Sequence, residues 1–289
     1  MTLRKRSPPS GAFLNGGPTW APNDATQTPS HGHAGLWTRA TGPTSAGRVA
    51  LLHGFTQTGR SWDHIAAALS AATRGEVITV DMPGHGGSGA IHVDLLASAD
   101  LVTAAVGPAV YVGYSMGGRV ALHAALRSPE AVRGLVLIGA TAGILDEPGR
   151  RARRGADEVL ATDLERDGIE AFLTRWLANP LFETLPAVAA GLEGRRANTV
   201  AGLASSLRLC GTGTQEPLWE RLADIACPVR ILAGALDAKF CALGAQLAEA
   251  IGPNASFATI ADAGHAAHLE RPHAVITEIT ALVEQCNRC

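Results

Sequence analysis

The chain of 289 residues has no run of apolar residues long enough to span a bilayer, which argues against a membrane-spanning helix. Its first residues, "MTLRKRSPPSGAFLNGG", carry basic side chains but no apolar segment of the kind a secretory leader needs, so a cytoplasmic protein is expected. Charge of one sign is also missing. A formal net charge of −2 supplies no global basic field, which argues against nucleic acid as a partner and leaves any arginine cluster to act locally. The five cysteines are odd in number and scattered, so no disulfide framework is read from them. Cys286 and Cys289 form a C-x-x-C, but no second pair or nearby histidine completes a zinc site, and a frayed tail is the expectation. The glycine-rich "DMPGHGGSG" lacks both the dinucleotide-binding spacing and the lysine of a phosphate loop, so no cofactor is expected.

What is present alternates. "RVALLHGF", "EVITVDMPG", "AVYVGYS" and "VRGLVLIGAT" are short apolar, β-branched runs, and helical patterns lie between them. One such helix is expected in "SWDHIAAALSAA", with Ser61 as its N-cap; another, "MGGRVALHAALRSP", is closed by Pro129. Alternating strands and helices imply right-handed crossovers and a doubly wound, mostly parallel sheet, an α/β class of fold. Between residues 143 and 213 no strand-like run occurs; "CPVRILAGALD" and "SFATIADAGH" then resume the strands, and a last helix begins at Pro272. The expected organisation is a flexible arm over 1–33, a core over 34–142 and 214–289, and an all-helical cap over 143–213. Such a cap belongs above the C-terminal strand ends, where ligands bind in open α/β sheets.

"GYSMG", Gly113 to Gly117, has the G-x-S-x-G spacing and stands between a strand and a helix. Its flanking glycines allow the sharp turn that lifts Ser115 Oγ above the sheet. Asp237 and His265 each follow a strand pattern, in the order that a Ser–Asp–His triad takes on this kind of fold. Asp224 and Asp262 are weaker candidates for the acid, and His268 for the base. The backbone N–H groups of Met116, after the nucleophile, and of Phe55, in the loop after an early strand, are the candidate oxyanion donors. His53 is read as a buttress of that loop, and Asp81 and His85 as structural.

Arg119 lies four residues beyond Ser115, so its side chain can reach back toward the cavity floor. A solvated surface arginine is the plainer reading, but the cap adds Arg150, Arg151, Arg153, Arg154, Arg195 and Arg196. If two of these join Arg119, the site suits a ligand with several carboxylates, because guanidinium forks pair with carboxylates bidentately.

"HGFTQTGRSW", "DMPGHGGS", "GYSMGGR", "RRARRGAD", "RWLANPLF", "GTGTQEPLW", "AGALDAKF" and "AGHAAHLE" together resemble the 2-succinyl-6-hydroxy-2,4-cyclohexadiene-1-carboxylate synthase (MenH) family of menaquinone biosynthesis, α/β-hydrolase in fold. The resemblance runs from about Arg48 to Ala281. It implies a lyase that eliminates pyruvate from 2-succinyl-5-enolpyruvyl-6-hydroxy-3-cyclohexene-1-carboxylate, a small tricarboxylate, without a cofactor or metal. It further implies that Arg119, Arg153 and Arg196 hold carboxylates while Tyr114 and Trp176 shape the pocket. Arg150 is an alternative to Arg153, and Arg195 to Arg196. A serine esterase or carbon–carbon bond hydrolase for a small carboxylated substrate is the competing reading. Nothing in the sequence assigns an oligomer, and a monomer is the expectation.

Overall fold

The computed structural model describes residues 28–31, 35–44 and 47–288. Six apolar runs form the parallel part of one sheet, each sequence pattern yielding a strand: β3 (Arg48–Leu52), β4 (Glu76–Val80), β5 (Ala109–Tyr114), β6 (Val132–Ile138), β7 (Val229–Gly234) and β8 (Ala255–Ile260). They lie in the order β4-β3-β5-β6-β7-β8. The chain leaves β3 for β4 on one side and returns to β5 on the other, so the strand order reverses beside β3. Ligands of open α/β sheets bind in the crevice that such a reversal opens.

Two strands precede these. β2 (Trp37–Thr41) pairs antiparallel with β4, and β1 (Thr28–His31) pairs antiparallel with β2 at the sheet edge. No strand is expected there from the sequence. "WTRAT" is too short and too polar to show a strand pattern; Arg39 is buried on it because its guanidinium pairs with Asp63. The expected flexible arm over 1–33 falls mainly on residues outside those described, and at Thr28–His31 the backbone is a strand instead.

Both faces of the sheet are covered, which is why its strands read as nearly continuous apolar runs. On one face α2 (Leu95–Val106), α3 (Met116–Arg127) and α7 (Ala238–Ile251) bury Val102, Leu122 and Leu247 against Leu52, Leu135 and Ile231. On the other, α1 (Asp63–Thr73) and α9 (Pro272–Arg288) bury Leu69 and Ile279 against Leu51, Val112 and Val136. Ser61 does not cap α1. The segment Gly59–Trp62 winds as a 3₁₀ turn, the Ser61 hydroxyl donates to the Thr58 carbonyl at 2.8 Å, and the helix starts at Asp63.

The segment between β6 and β7 contains helices and no strand. α4 (Glu147–Leu177) is capped by Asp146, whose carboxylate accepts the Gly149 N–H at 2.7 Å, and breaks at Gly168, where φ is 77°. After α5 (Leu192–Arg196), α6 (Val200–Cys210) packs on α4 through Leu164, Phe172, Leu203 and Leu207, a small apolar core separate from the two beside the sheet. Where the chain enters and leaves this segment its two ends are joined. Leu218 N–H donates to Ala142 O at 2.8 Å, and Trp219 Nε1 donates to Gly143 O at 2.9 Å. No helix among the described residues is long and apolar enough to cross a membrane.

Candidate active site

At the end of β5 the backbone turns into α3 within one residue. Ser115 takes φ 50° and ψ −106°, a conformation that costs an L-residue about 1–3 kcal/mol and is kept only where its surroundings impose it. The glycines allow the approach. A Cβ on Gly117 would overlap the Leu52 carbonyl oxygen, well inside van der Waals contact distance, and lie 2.7 Å from that of His53. Gly117→Ala is therefore expected to destabilise the fold by about 1–3 kcal/mol or more, with a lowered thermal midpoint. Gly155→Ala, at an exposed helical position with open space around it, should leave the midpoint unchanged or raise it.

Three side chains from the ends of β5, β7 and β8 meet. His265 Nδ1–H donates to Asp237 Oδ2 at 2.9 Å, and His265 Nε2 stands 3.4 Å from Ser115 Oγ. That tautomer leaves Nε2 as the acceptor facing the hydroxyl. Burial works to raise the Asp237 carboxyl, but hydrogen bonds from His265 and the Phe240 N–H outweigh it and hold the group below the usual carboxylate range. Tyr114 and Phe240 flank the His265 ring, with centroids 5.3 and 4.4 Å away. Asp224, Asp262 and His268 take no part in this chain. His268 lies beneath Tyr114, its ring 4.2 Å from the phenol ring, and Gln57 is its polar neighbour at 3.4 Å.

The loop after β3 is fixed by two buried histidines. His53 donates from Nδ1 to the Gly54 carbonyl at 2.9 Å and accepts the Met82 N–H on Nε2 at 3.0 Å. His85 donates to Pro83 O at 3.0 Å and accepts the Thr56 N–H at 3.3 Å. Each ring must be neutral to do both. Burial accordingly pulls His53 down to about 4 and His85 to about 3. Unfolded histidine protonates near pH 6.5, so below that pH the unfolded chain binds protons that the folded chain refuses. Stability should be level above pH 6.5 and fall steadily as pH drops toward 4, a decline measurable by thermal denaturation and reduced in a variant where His53→Gln folds.

Phe55 and Met116 line the cavity above Ser115, and their N–H groups take no acceptor among the described residues. Arg119, Arg153, Tyr114 and Trp176 line it too. Arg119 is buried; its Nη2 donates to the Cys210 carbonyl at 2.7 Å and Nη1 reaches Gln215 at 3.5 Å. Burial, with Arg153 nearby, lowers its pKa to about 10, which still leaves it charged at neutral pH. Arg153 directs Nε to Asp157 at 2.9 Å, so its two terminal nitrogens remain for another partner. Trp176 packs edge-on against Phe55, ring centroids 5.1 Å apart.

Arg196 is not with them. It is half exposed and paired with Glu170 at 2.8 Å on the outside of the cap. Successive helical residues project about 100° apart, so α5 turns Arg196 outward and Arg195 inward, where it is 2% exposed. Arg150 is likewise occupied on the surface, by Glu147 at 2.7 Å. Asp157 and Lys239 also line the cavity, beyond the residues expected there. Asp157 was detectable as the i+4 partner of Arg153 in "RRARRGAD", and Lys239 as the cation two residues beyond Asp237. The cavity thus joins a Ser–His–Asp chain to three cations and one carboxylate.

Residues 49–278 match the model of the alpha/beta hydrolase family. A Bacillus subtilis protein, provisionally named 2-succinyl-6-hydroxy-2,4-cyclohexadiene-1-carboxylate synthase, is 34% identical over 245 residues, 80% of this chain and 88% of its own. The protein of that name from Salmonella paratyphi C is 32% identical over 250 residues, 84% of this chain and 96% of its own. Among solved structures, MenH from S. aureus superimposes with a TM-score of 0.79 at 29% identity, covering 86% of this chain and 98% of that one. A malate-bound esterase from Thermogutta terrifontis, 23% identical with a TM-score of 0.74 over 91% of this chain and all of its own, shares the fold alone. The chain belongs to the alpha/beta hydrolase family and, within it, to the 2-succinyl-6-hydroxy-2,4-cyclohexadiene-1-carboxylate synthases.

Proposed function

We propose that this chain eliminates pyruvate from 2-succinyl-5-enolpyruvyl-6-hydroxy-3-cyclohexene-1-carboxylate, yielding the cyclohexadiene carboxylate of menaquinone biosynthesis. The observation that carries the proposal is the convergence of Arg119, Arg153 and Lys239 on the cavity that holds Ser115, His265 and Asp237. An ester of neutral groups has no use for three cations around the nucleophile; a tricarboxylate does.

In the reaction, His265 Nε2 takes the Ser115 hydroxyl proton while Asp237 holds the ring and balances its charge. The serine oxygen then takes the ring proton beside the succinyl ketone, and the electron pair moves onto the ketone oxygen, which the Phe55 and Met116 N–H groups stabilise. As the enolate collapses, the ring double bonds shift and the C–O bond to the enolpyruvyl group breaks. The departing enolpyruvate takes up the proton that His265 holds and becomes pyruvate, leaving Ser115 protonated and His265 neutral as at the start. No acyl-enzyme forms, and the protein supplies every group that moves a proton. Asp157 keeps the Arg153 fork turned toward the substrate.

A coupled assay of pyruvate release from freshly generated substrate tests the proposal against the spontaneous decay of the same solution. Release well above that background supports it. Release at background, with an acylated Ser115 detected by mass after exposure to a carboxylated ester, would make the chain an esterase.

A further inference from the structure

Thr56, next to Phe55, stands at φ 68°, a region that β-branched residues avoid. Three neighbours hold its three polar groups. Its N–H donates to His85, its carbonyl accepts from Asn198 Nδ2 at 2.7 Å, and its hydroxyl oxygen accepts from Arg195 Nη1. Two of those holders come from the cap. Asn198 also accepts the Gly86 N–H at 2.9 Å and donates to the Arg195 carbonyl at 2.9 Å, so it ties α5 to two loops of the core at once.

Arg195 is an unusual residue to bury for this purpose. No carboxylate pairs with it among the described residues; Nε goes to the Ala190 carbonyl at 2.8 Å and Nη1 to Thr56. A buried guanidinium that only decorated the cap would be costly to keep. The Gly54 N–H donates to Gln57 Oε1 at 3.0 Å and the Gln57 N–H to Gly54 O at 3.1 Å. The Gly54–Phe55 peptide is thus anchored through its carbonyl and the Phe55–Thr56 peptide through the Thr56 N–H on His85, and the Phe55 N–H is left open to the cavity.

We propose that Arg195 and Asn198 are positioning residues through which the cap sets the oxyanion donor, holding Thr56 in its left-handed conformation so that the Phe55 N–H is presented to the cavity. The proposal rests on the reading of Phe55 as an oxyanion donor. Neither residue lines the cavity beside Ser115, so they act on the reaction through the loop and not on the substrate. The cap is then more than a cover, because its seating on Thr56 and Gly86 and the readiness of the oxyanion site are one event. An oxyanion donor is worth about 10²–10³ in turnover, and a donor shifted from its place by a loosened loop loses part of that.

The test is steady-state pyruvate release by the full chain carrying Asn198→Ala, Thr56→Ala or Thr56→Ser, with thermal midpoints measured alongside. Asn198→Ala and Thr56→Ala should each lower kcat about 10- to 100-fold while KM stays within about threefold. Thr56→Ser keeps the acceptor for Arg195 and should recover most of what Thr56→Ala loses. Should Asn198→Ala fail to fold, the Thr56 pair decides alone. Unchanged kcat in the folded alanine variants, or a loss confined to KM, overturns the proposal, whatever the thermal midpoint does. Wild-type release no faster than spontaneous decay removes the functional reading and the clamp with it; active wild type with unaffected variants removes the clamp alone.

Discussion

Ser115→Ala is expected to lower kcat for pyruvate release by about 10²–10⁴-fold, the range a positioned general base contributes, with KM little changed. The separation of effects follows from the geometry. Arg119, Arg153 and Lys239 reach the cavity from the cap and from the helices that follow β5 and β7, and none of them depends on the Ser115 hydroxyl for its place. Removing Oγ leaves His265 Nε2 3.4 Å behind the position from which the proton must be taken, too far to replace the serine as base without a water between. The measurement is the coupled assay with the spontaneous rate subtracted. A variant retaining more than a tenth of wild-type turnover would mean that His265 or another group takes the ring proton directly.

The parts of this site that were legible in the sequence are those fixed by local geometry. G-x-S-x-G can be recognised because close backbone approach at Gly117 admits no other residue, and Asp237 and His265 because each ends a strand pattern. For Arg119 the helical period shows only that its side chain can reach back toward the cavity; its place there is carried by the cap arginines and by the resemblance of "GYSMGGR". Illegible were features decided by tertiary contact. "EGRRANT" gives no sign of which arginine turns inward, since only the packing of α5 on the Thr56 loop settles it, and the choice fell on Arg195. β2 was missed because a buried Arg39 looks polar until Asp63 is known to lie beside it. Ser61 looked like a helix cap because nothing in "TGRSWD" announces the 3₁₀ turn that precedes α1.

Arg119→Ala is expected to reduce kcat/KM by about 2–5 kcal/mol, which is about 30- to 5,000-fold, because truncation would leave a substrate carboxylate buried without its cation. The loss should fall chiefly on KM, in contrast to Ser115→Ala, since a guanidinium on a carboxylate that does not react would hold ground state and transition state alike. Arg119 also joins cap to core: its Nη2 holds the Cys210 carbonyl at the end of α6, and the alanine variant leaves that acceptor unpaired. A destabilisation of about 1–3 kcal/mol should accompany the kinetic loss. Arg119→Lys separates the two roles, for it keeps a charge at the cavity floor but has no fork to share between Cys210 and a carboxylate. If charge alone matters, lysine restores most of the lost kcat/KM; if bidentate geometry matters, it restores the thermal midpoint more than the affinity. The second outcome is expected, because Arg119 has no carboxylate partner of its own among the described residues and already spends one arm on a carbonyl. An alanine variant whose kcat/KM stays within threefold of wild type would remove Arg119 from the substrate and leave it only the task of holding the cap.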